Sequence, residues 1–274
     1  MRVVIYWLLA VVITLSAMVY QRKTGPTHDK KVEIEIENQT YKIKLIRSHG
    51  GESDCRVELP VTDQEISGKM EYRKFPTYEE WTTAELEREN EKLVGILPLL
   101  PPAGKYEYKI TLEKQDRQFP LNNGQPVVIR FKGHVPGSVL IPHIILMFFA
   151  MFLGNLAGIM AVFRYKKFRF YTTFTLIALF VGGMIFGPWV QWYAFGEAWA
   201  GIPFAWDLTD NKTLLAFLFW ILAFVMNRKK ERPAYTLLAS LVMLAVYSIP
   251  HSMYGSQLDP ETGKIIQGWI LLRW

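Results

Sequence analysis

Cysteine is nearly absent: Cys55 is the only one in 274 residues. No internal disulfide can form, so an exported domain in this chain must hold by packing alone. Paired-cysteine metal sites and a Cys-x-x-Cys-His haem attachment are excluded with it. A phosphate-binding Gly-rich loop, a Gly-x-Ser-x-Gly elbow and a His-Glu-x-x-His motif are missing too, so most enzyme classes have no visible handle and the chain reads as non-enzymatic. Acid is scarce in one part only. Residues 21–136 hold nineteen Lys/Arg and nineteen Asp/Glu, whereas the remainder holds twelve basic and six acidic residues. The whole +6 excess thus lies in the apolar part, which argues against a nucleic-acid protein, whose basic surplus gathers on a folded face.

What is abundant is apolar: 50% of residues are hydrophobic and 14% aromatic, beside 20% charged. Such a mixture requires polar and apolar residues to be segregated along the chain, as in a membrane protein with one soluble domain. Runs near the length of a bilayer span occur at residues 3–20, 139–163, 170–192, 214–226 and 234–249. The last two are short and borrow interfacial residues such as Asn211, Lys212, Tyr235 and His251. Arg164, Lys166, Lys167 and Arg169 crowd one connection, and Arg228, Lys229, Lys230 and Arg232 another. These loops should face the cytoplasm, with the soluble domain and the C-terminus outside it. The first run reads as a retained anchor rather than a cleaved signal peptide, because a small-x-small cleavage site is missing.

Residues 31–37 alternate as Lys-Val-Glu-Ile-Glu-Ile-Glu and the pattern resumes at 41–45, the period-two signal of a hairpin with one buried face. Further strands are expected at 56–59, 68–73, 94–97, 104–112 and 127–131, which together suggest a β-sandwich. Residues 77–92 break the pattern with six glutamates around Trp81 and Leu86. They read either as an acidic partner-binding helix or as a solvated insertion at one end of the sandwich.

Chemistry-bearing residues concentrate at the outer membrane face. Ile141-Pro142-His143 opens the second span and Ile249-Pro250-His251 closes the fifth. His143, Met147, Met151, Gly154 and Gly158 form one helical stripe, and its Gly-x-x-x-Gly should face another helix. His143 and His251 are candidate axial ligands of a b-type haem. A His/Met copper(I) site is a second reading, and two interfacial histidines bonded to backbone, with methionines filling gaps, is the plainest. The 187–212 loop carries Trp189, Trp192, Trp199 and Trp206, expected as an interfacial aromatic shelf. Asp210 is expected as the N-cap of the fourth span, while Asp207 lacks that explanation. Asp207, Asp210 and Lys212 should converge with the two histidines in a partly buried rim cluster, since lone polar groups at that depth are costly. Residues 265–274 read as an interfacial segment along the bundle.

The segment Pro102-Ala103-Gly104-Lys105-Tyr106-Glu107-Tyr108-Lys109-Ile110 resembles a late strand of immunoglobulin-like or fibronectin-like domains. The blocks Gly201-Ile202-Pro203-Phe204-Ala205-Trp206-Asp207-Leu208-Thr209-Asp210-Asn211-Lys212 and Ile249-Pro250-His251-Ser252-Met253-Tyr254-Gly255-Ser256, with Arg130-Phe131-Lys132-Gly133, resemble uncharacterised bacterial multi-span inner-membrane proteins that carry a periplasmic immunoglobulin-like β-domain. That resemblance implies a layout and no activity. The expected fold is membrane α plus β: an N-terminal transmembrane anchor and linker over 1–27, an extracytoplasmic β-sandwich over 28–136, and a four-helix transmembrane bundle with an interfacial tail over 137–274. The expected role is an accessory or scaffold subunit, with the lipid bilayer and a membrane or periplasmic protein as partners. The alternative is electron transfer through haem between His143 and His251.

Overall fold

The computed structural model describes residues 2–77, 79–250, 257–259, 263, 265 and 266. The chain divides into a helical unit, residues 1–26, 135–255 and 267–274, and a β unit, residues 27–134 and 256–266.

In the β unit, β1 (Lys30–Ile36) and β2 (Gln39–Leu45) form an antiparallel hairpin in which Ile34 faces Tyr41. Its alternation puts Ile36, Tyr41, Ile43 and Leu45 into the core and the charged residues outside. A six-stranded sheet runs β3 (Ser48–Gly50), β11 (Val127–Lys132), β9 (Lys105–Lys114), β5 (Ser67–Lys74), β6 (Thr82–Glu85), with β10 (Arg117–Pro120) also on β9. A three-stranded sheet runs β4 (Cys55–Leu59), β8 (Lys92–Leu97), β7 (Glu87–Glu89). Both sheets and the hairpin contribute to a single apolar core, which includes Cys55, Tyr106 and Tyr108.

The described residues of 77–92 form neither a helix nor a solvated insertion. β6 pairs with β5 in the larger sheet, β7 pairs with β8 in the smaller one, and the chain crosses between the sheets at Leu86. A Cβ on Gly68 would meet Leu86 Cδ1 at 3.0 Å and one on Gly95 would meet Leu86 Cδ2 at 2.8 Å. Two glycines, one in each sheet, thus make room for one leucine. Glu85, Glu87 and Glu89, which help to hide this pattern, are exposed on short edge strands. Trp81 is covered by cations, with Arg73 Cζ at 4.6 Å and Lys109 Nζ at 4.7 Å from its ring centroid, a contact that holds the start of β6 over the sheet.

In the tail, Gln257–Leu258 (β12) and Ile265–Ile266 (β13) pair antiparallel. Leu258 N donates to Ala103 O at 3.0 Å, and Lys105 Nζ donates to Gln257 Oε1 at 2.9 Å. Gln257, Leu258, Ile265 and Ile266 therefore group with the strands. The interfacial segment expected over 265–274 lies mostly outside the described residues.

The helical unit contains α1 (Arg2–Thr24), α2 (Gly137–Val162), α3 (Phe168–Leu179), a π-helical segment (Phe180–Phe186), α4 (Gly187–Phe195), α5 (Leu208–Met226) and α6 (Pro233–Ser248). Among the described residues, four helices are long and apolar enough to cross a membrane: Arg2–Thr24, Gly137–Val162, the continuous Phe168–Phe195 and Leu208–Met226. The fifth expected span, α6, has 16 residues, about 24 Å at 1.5 Å per residue, short of the roughly 30 Å apolar core. Large apolar side chains such as Leu8, Ile145, Phe174, Leu218 and Leu241 are exposed on the outer helix faces.

The first helix packs into the bundle. Its buried side is Tyr6 followed by the small residues Ala10, Thr14 and Ala17, and the small residues permit close helix approach. Asn155 Nδ2 of α2 donates to Thr14 Oγ1 at 3.0 Å, and Gln21 Nε2 donates to Tyr247 O of α6 at 2.7 Å. The glycine stripe of α2 faces protein: a Cβ at Gly154 would meet Trp220 Cζ2 at 2.9 Å and Met243 Sδ at 3.0 Å, and one at Gly158 would strike Ser240.

Candidate functional site

Asp207, Asp210 and Lys212 stand at the start of α5 with 4%, 7% and 3% of their surfaces exposed. The capping role falls to Asp207. Its Oδ1 accepts from Thr209 N at 2.8 Å and Asp210 N at 3.1 Å, so the carboxylate satisfies two free helix donors and complements the positive dipole end. The expectation that capping explains Asp210 and leaves Asp207 unexplained is therefore reversed. The reason lies in spacing, because an N-cap side chain reaches the N–H groups two and three residues on and α5 begins at Leu208.

Asp210, freed from capping, points back at the preceding loop. Its Oδ2 accepts from Ala200 N at 2.6 Å and from Gln191 Nε2 of α4 at 3.0 Å. Asn211 Oδ1 accepts from Ile202 N at 2.8 Å, and Asp207 N donates to Ala200 O at 2.8 Å. A Cβ at Gly201 would lie 2.7 Å from Asp210 Cβ, so only glycine permits so close an approach of loop and helix. Together these contacts clasp the 196–207 loop to α4 and α5. Gln191 was not singled out in the sequence, and Asn211 was read only as an interfacial residue completing the fourth span; a polar side chain one turn after Gly187 in an apolar helix is the signal that was available for Gln191.

Lys212 reaches the other way. Its Nζ donates to Ile249 O at 2.8 Å and Pro250 O at 3.4 Å, the carbonyls just past α6, where a cation complements the negative end of the helix dipole. Among the described residues it makes no ion pair with Asp207 or Asp210. Glu197, on the loop, is half-buried, and burial together with the nearby Asp207 raises its carboxyl above the ordinary range.

His143 is half-buried and donates from Nδ1 to Gly182 O at 2.8 Å. That carbonyl belongs to the π-helical segment, where it also accepts from Gly187 N. Among the described residues no hydrogen bond joins His143 to Asp207, Asp210 or Lys212. His251 lies outside the described residues, so its place relative to His143 is not described. Trp189, Trp192 and Trp206 are exposed at 53%, 60% and 63% and Phe204 at 80%. Trp199 is half-buried against the loop, donating to Ile202 O at 3.2 Å. The exposed aromatic surface is thus carried by Trp189 and Trp192 of α4 and by Phe204 and Trp206 of the loop, while Trp199 lies against the loop.

A second polar layer, unmarked in the sequence, lies toward the basic end of the bundle. Thr172 Oγ1 and Thr236 Oγ1 are 3.1 Å apart, and Asn227 Nδ2 donates to Thr236 Oγ1 at 3.3 Å, all buried. In the β unit, Lys105 is largely buried beside Arg130, and these two causes bring its amine down to about 7. Comparison with known proteins finds no match for this chain, whether to a protein family, a curated protein or a solved structure.

Proposed function

We propose that this chain is a bacterial inner-membrane protein whose helices, α1 included as an anchor, hold an immunoglobulin-like β-sandwich just outside the cytoplasm. Its role is that of an accessory or scaffold subunit of a larger membrane assembly. The observation that carries this reading is the polarity of the helical unit. Arg169 Nη2 donates to Arg228 O at 2.8 Å, so both basic loops occupy one end, while the connections 25–29 and 133–136 to the β unit leave from the other. Under the positive-inside tendency that arrangement exports the β unit. The rim residues support a structural role: each charged group is engaged with the protein's own backbone, as a cap, a clasp or a helix stop. The projecting aromatic side chains suit the membrane–water interface. Site-specific photocrosslinking in cells from exposed β-unit positions, with size analysis of the purified protein, tests the assignment. A recurrent crosslinked partner supports it. A monodisperse monomer with no crosslinked partner refutes it.

One observation favours the haem reading as well. Donation from His143 Nδ1 to a backbone carbonyl fixes the tautomer that leaves Nε2 free, as metal-ligating histidines are held. The absorption spectrum of protein from haem-replete cells decides the matter: a Soret band lost in His143→Ala supports it, and a colourless preparation ends it.

A further inference from the structure

Eight basic residues gather at one end of the helical unit, Arg164, Lys166, Lys167 and Arg169 around the start of α3 and Arg228, Lys229, Lys230 and Arg232 before α6, with Glu231 the only acid among them. Topology steering accounts for their number but not for their arrangement. The Arg169 to Arg228 bond joins the two loops. The contact between Thr172 and Thr236, about one turn inside α3 and α6, sets the two helix N-termini side by side. Asn227 stiffens the second loop, its Oδ1 accepting from Arg232 N at 2.7 Å and its Nδ2 donating to Ala223 O at 2.8 Å.

This arrangement is electrostatically one-sided. All eight basic residues except the half-buried Arg169 are exposed, and none forms an ion pair among the described residues. Neither N-terminus is capped by a side chain. Each carries the positive end of a helix dipole, roughly +0.5 charge, beside which a cation has the wrong sign. An anion held between the loops turns each of these repulsions into an attraction. Next to the basic residues, Val162, Phe163, Phe170 and Val225 are 52–59% exposed. The patch thus offers charge for a headgroup and an apolar wall for its chains.

We propose that the paired N-termini of α3 and α6, with the two basic loops, bind the phosphodiester headgroup of an anionic phospholipid in the leaflet that this end of the helices meets. Free phosphate would use the same charges but not the apolar wall. The proposal requires only that the helices span a membrane and is independent of the scaffold assignment.

Because the same residues steer insertion, the test uses purified full-length chain in uncharged detergent, where orientation plays no part. Native mass spectrometry follows binding of short-chain phosphatidylglycerol, phosphatidylcholine of equal chain length, and inorganic phosphate as competitor. Phosphatidylglycerol is expected to bind at least about tenfold more tightly than phosphatidylcholine and to weaken as salt shortens the Debye length. The quadruple variant Lys166→Gln, Lys167→Gln, Lys229→Gln, Lys230→Gln should lose that preference, and Arg22→Gln with Lys23→Gln, at the opposite end of the bundle, should keep it. Equal binding of the two lipids, or an unchanged quadruple variant, overturns the site. Displacement of phosphatidylglycerol by equimolar phosphate overturns its assignment to a lipid. If the quadruple variant does not fold, the lipid preference and salt dependence of the unaltered chain decide.

Discussion

Truncating Asp210 to alanine should release the 196–207 loop while leaving the helix cap in place. The carboxylate is buried and accepts two hydrogen bonds, from the Ala200 amide at 2.6 Å and the Gln191 side chain at 3.0 Å. Ala200 is itself 1% exposed, so this bond is shielded from water. A hydrogen bond to a charged acceptor contributes about 1.5–3 kcal/mol, which is the loss of local stability expected at Ala200. At about 1.4 kcal/mol per tenfold, its amide should exchange with deuterium roughly 10 to 140 times faster in Asp210→Ala than in the unaltered chain. Exchange at Thr209 should stay slow, because that amide is held by Asp207 Oδ1 at 2.8 Å. Asp210→Asn keeps an acceptor oxygen and should move Ala200 much less. Hydrogen exchange in detergent, resolved by peptide, reads both amides in each variant. Unchanged protection at Ala200 in Asp210→Ala would show that the loop is held by something other than this clasp.

Leu86→Ala should destabilise the β unit by about 2–5 kcal/mol, the range for removing a buried leucine, because Leu86 fills the space left by Gly68 and Gly95; denaturant unfolding of the full chain monitored by β-sheet circular dichroism checks it. Gly158→Leu should cost about 1–3 kcal/mol or more through overpacking, since α2 and α6 meet there at Ser240, and should lower the thermal midpoint of the helical signal in detergent. Lys105 titrates near 7 in the folded chain, against an ordinary value of 10.5, so the unfolded chain binds more protons between those limits. β-unit stability should therefore rise as pH climbs from about 7 toward 10.5, and Lys105→Met should flatten that rise in urea titrations run across the window.

The strands with one buried face were legible because alternation in 31–37, 41–45 and 104–112 leaves little choice of register once one face is apolar. Residues 77–92 were not, since β6 and β7 are edge strands of three or four residues whose outward glutamates outnumber the one inward leucine. The information sat in Gly68 and Gly95, which make sense only once both sheets are in place. In the helical unit, run length found the four helices long and apolar enough to cross a membrane but counted α6 with them, and the glycine stripe on α2 found its partner face. Apolar length was blind to Thr14, Thr172, Thr236 and Asn155, whose buried bonds join helices distant in sequence. The rim was half legible: Asp207, Asp210 and Lys212 stood out as costly charges at membrane depth. Which of them caps, which clasps and which stops α6 depended on where α5 begins, a matter of one residue.

The orientation of the helical unit carries the whole account, and single-cysteine labelling tests it most directly. Cys55, buried at 0% exposure, is replaced by alanine, and one cysteine is introduced at exposed Asn123 in the β unit or at exposed Lys230 in the second basic loop. Intact cells are treated with a membrane-impermeant maleimide before and after permeabilisation. The expected result is that position 123 reacts in intact cells and position 230 reacts only after the membrane is opened. Labelling at 230 in intact cells with protection at 123 would invert the topology and remove the basis for an exported β-domain.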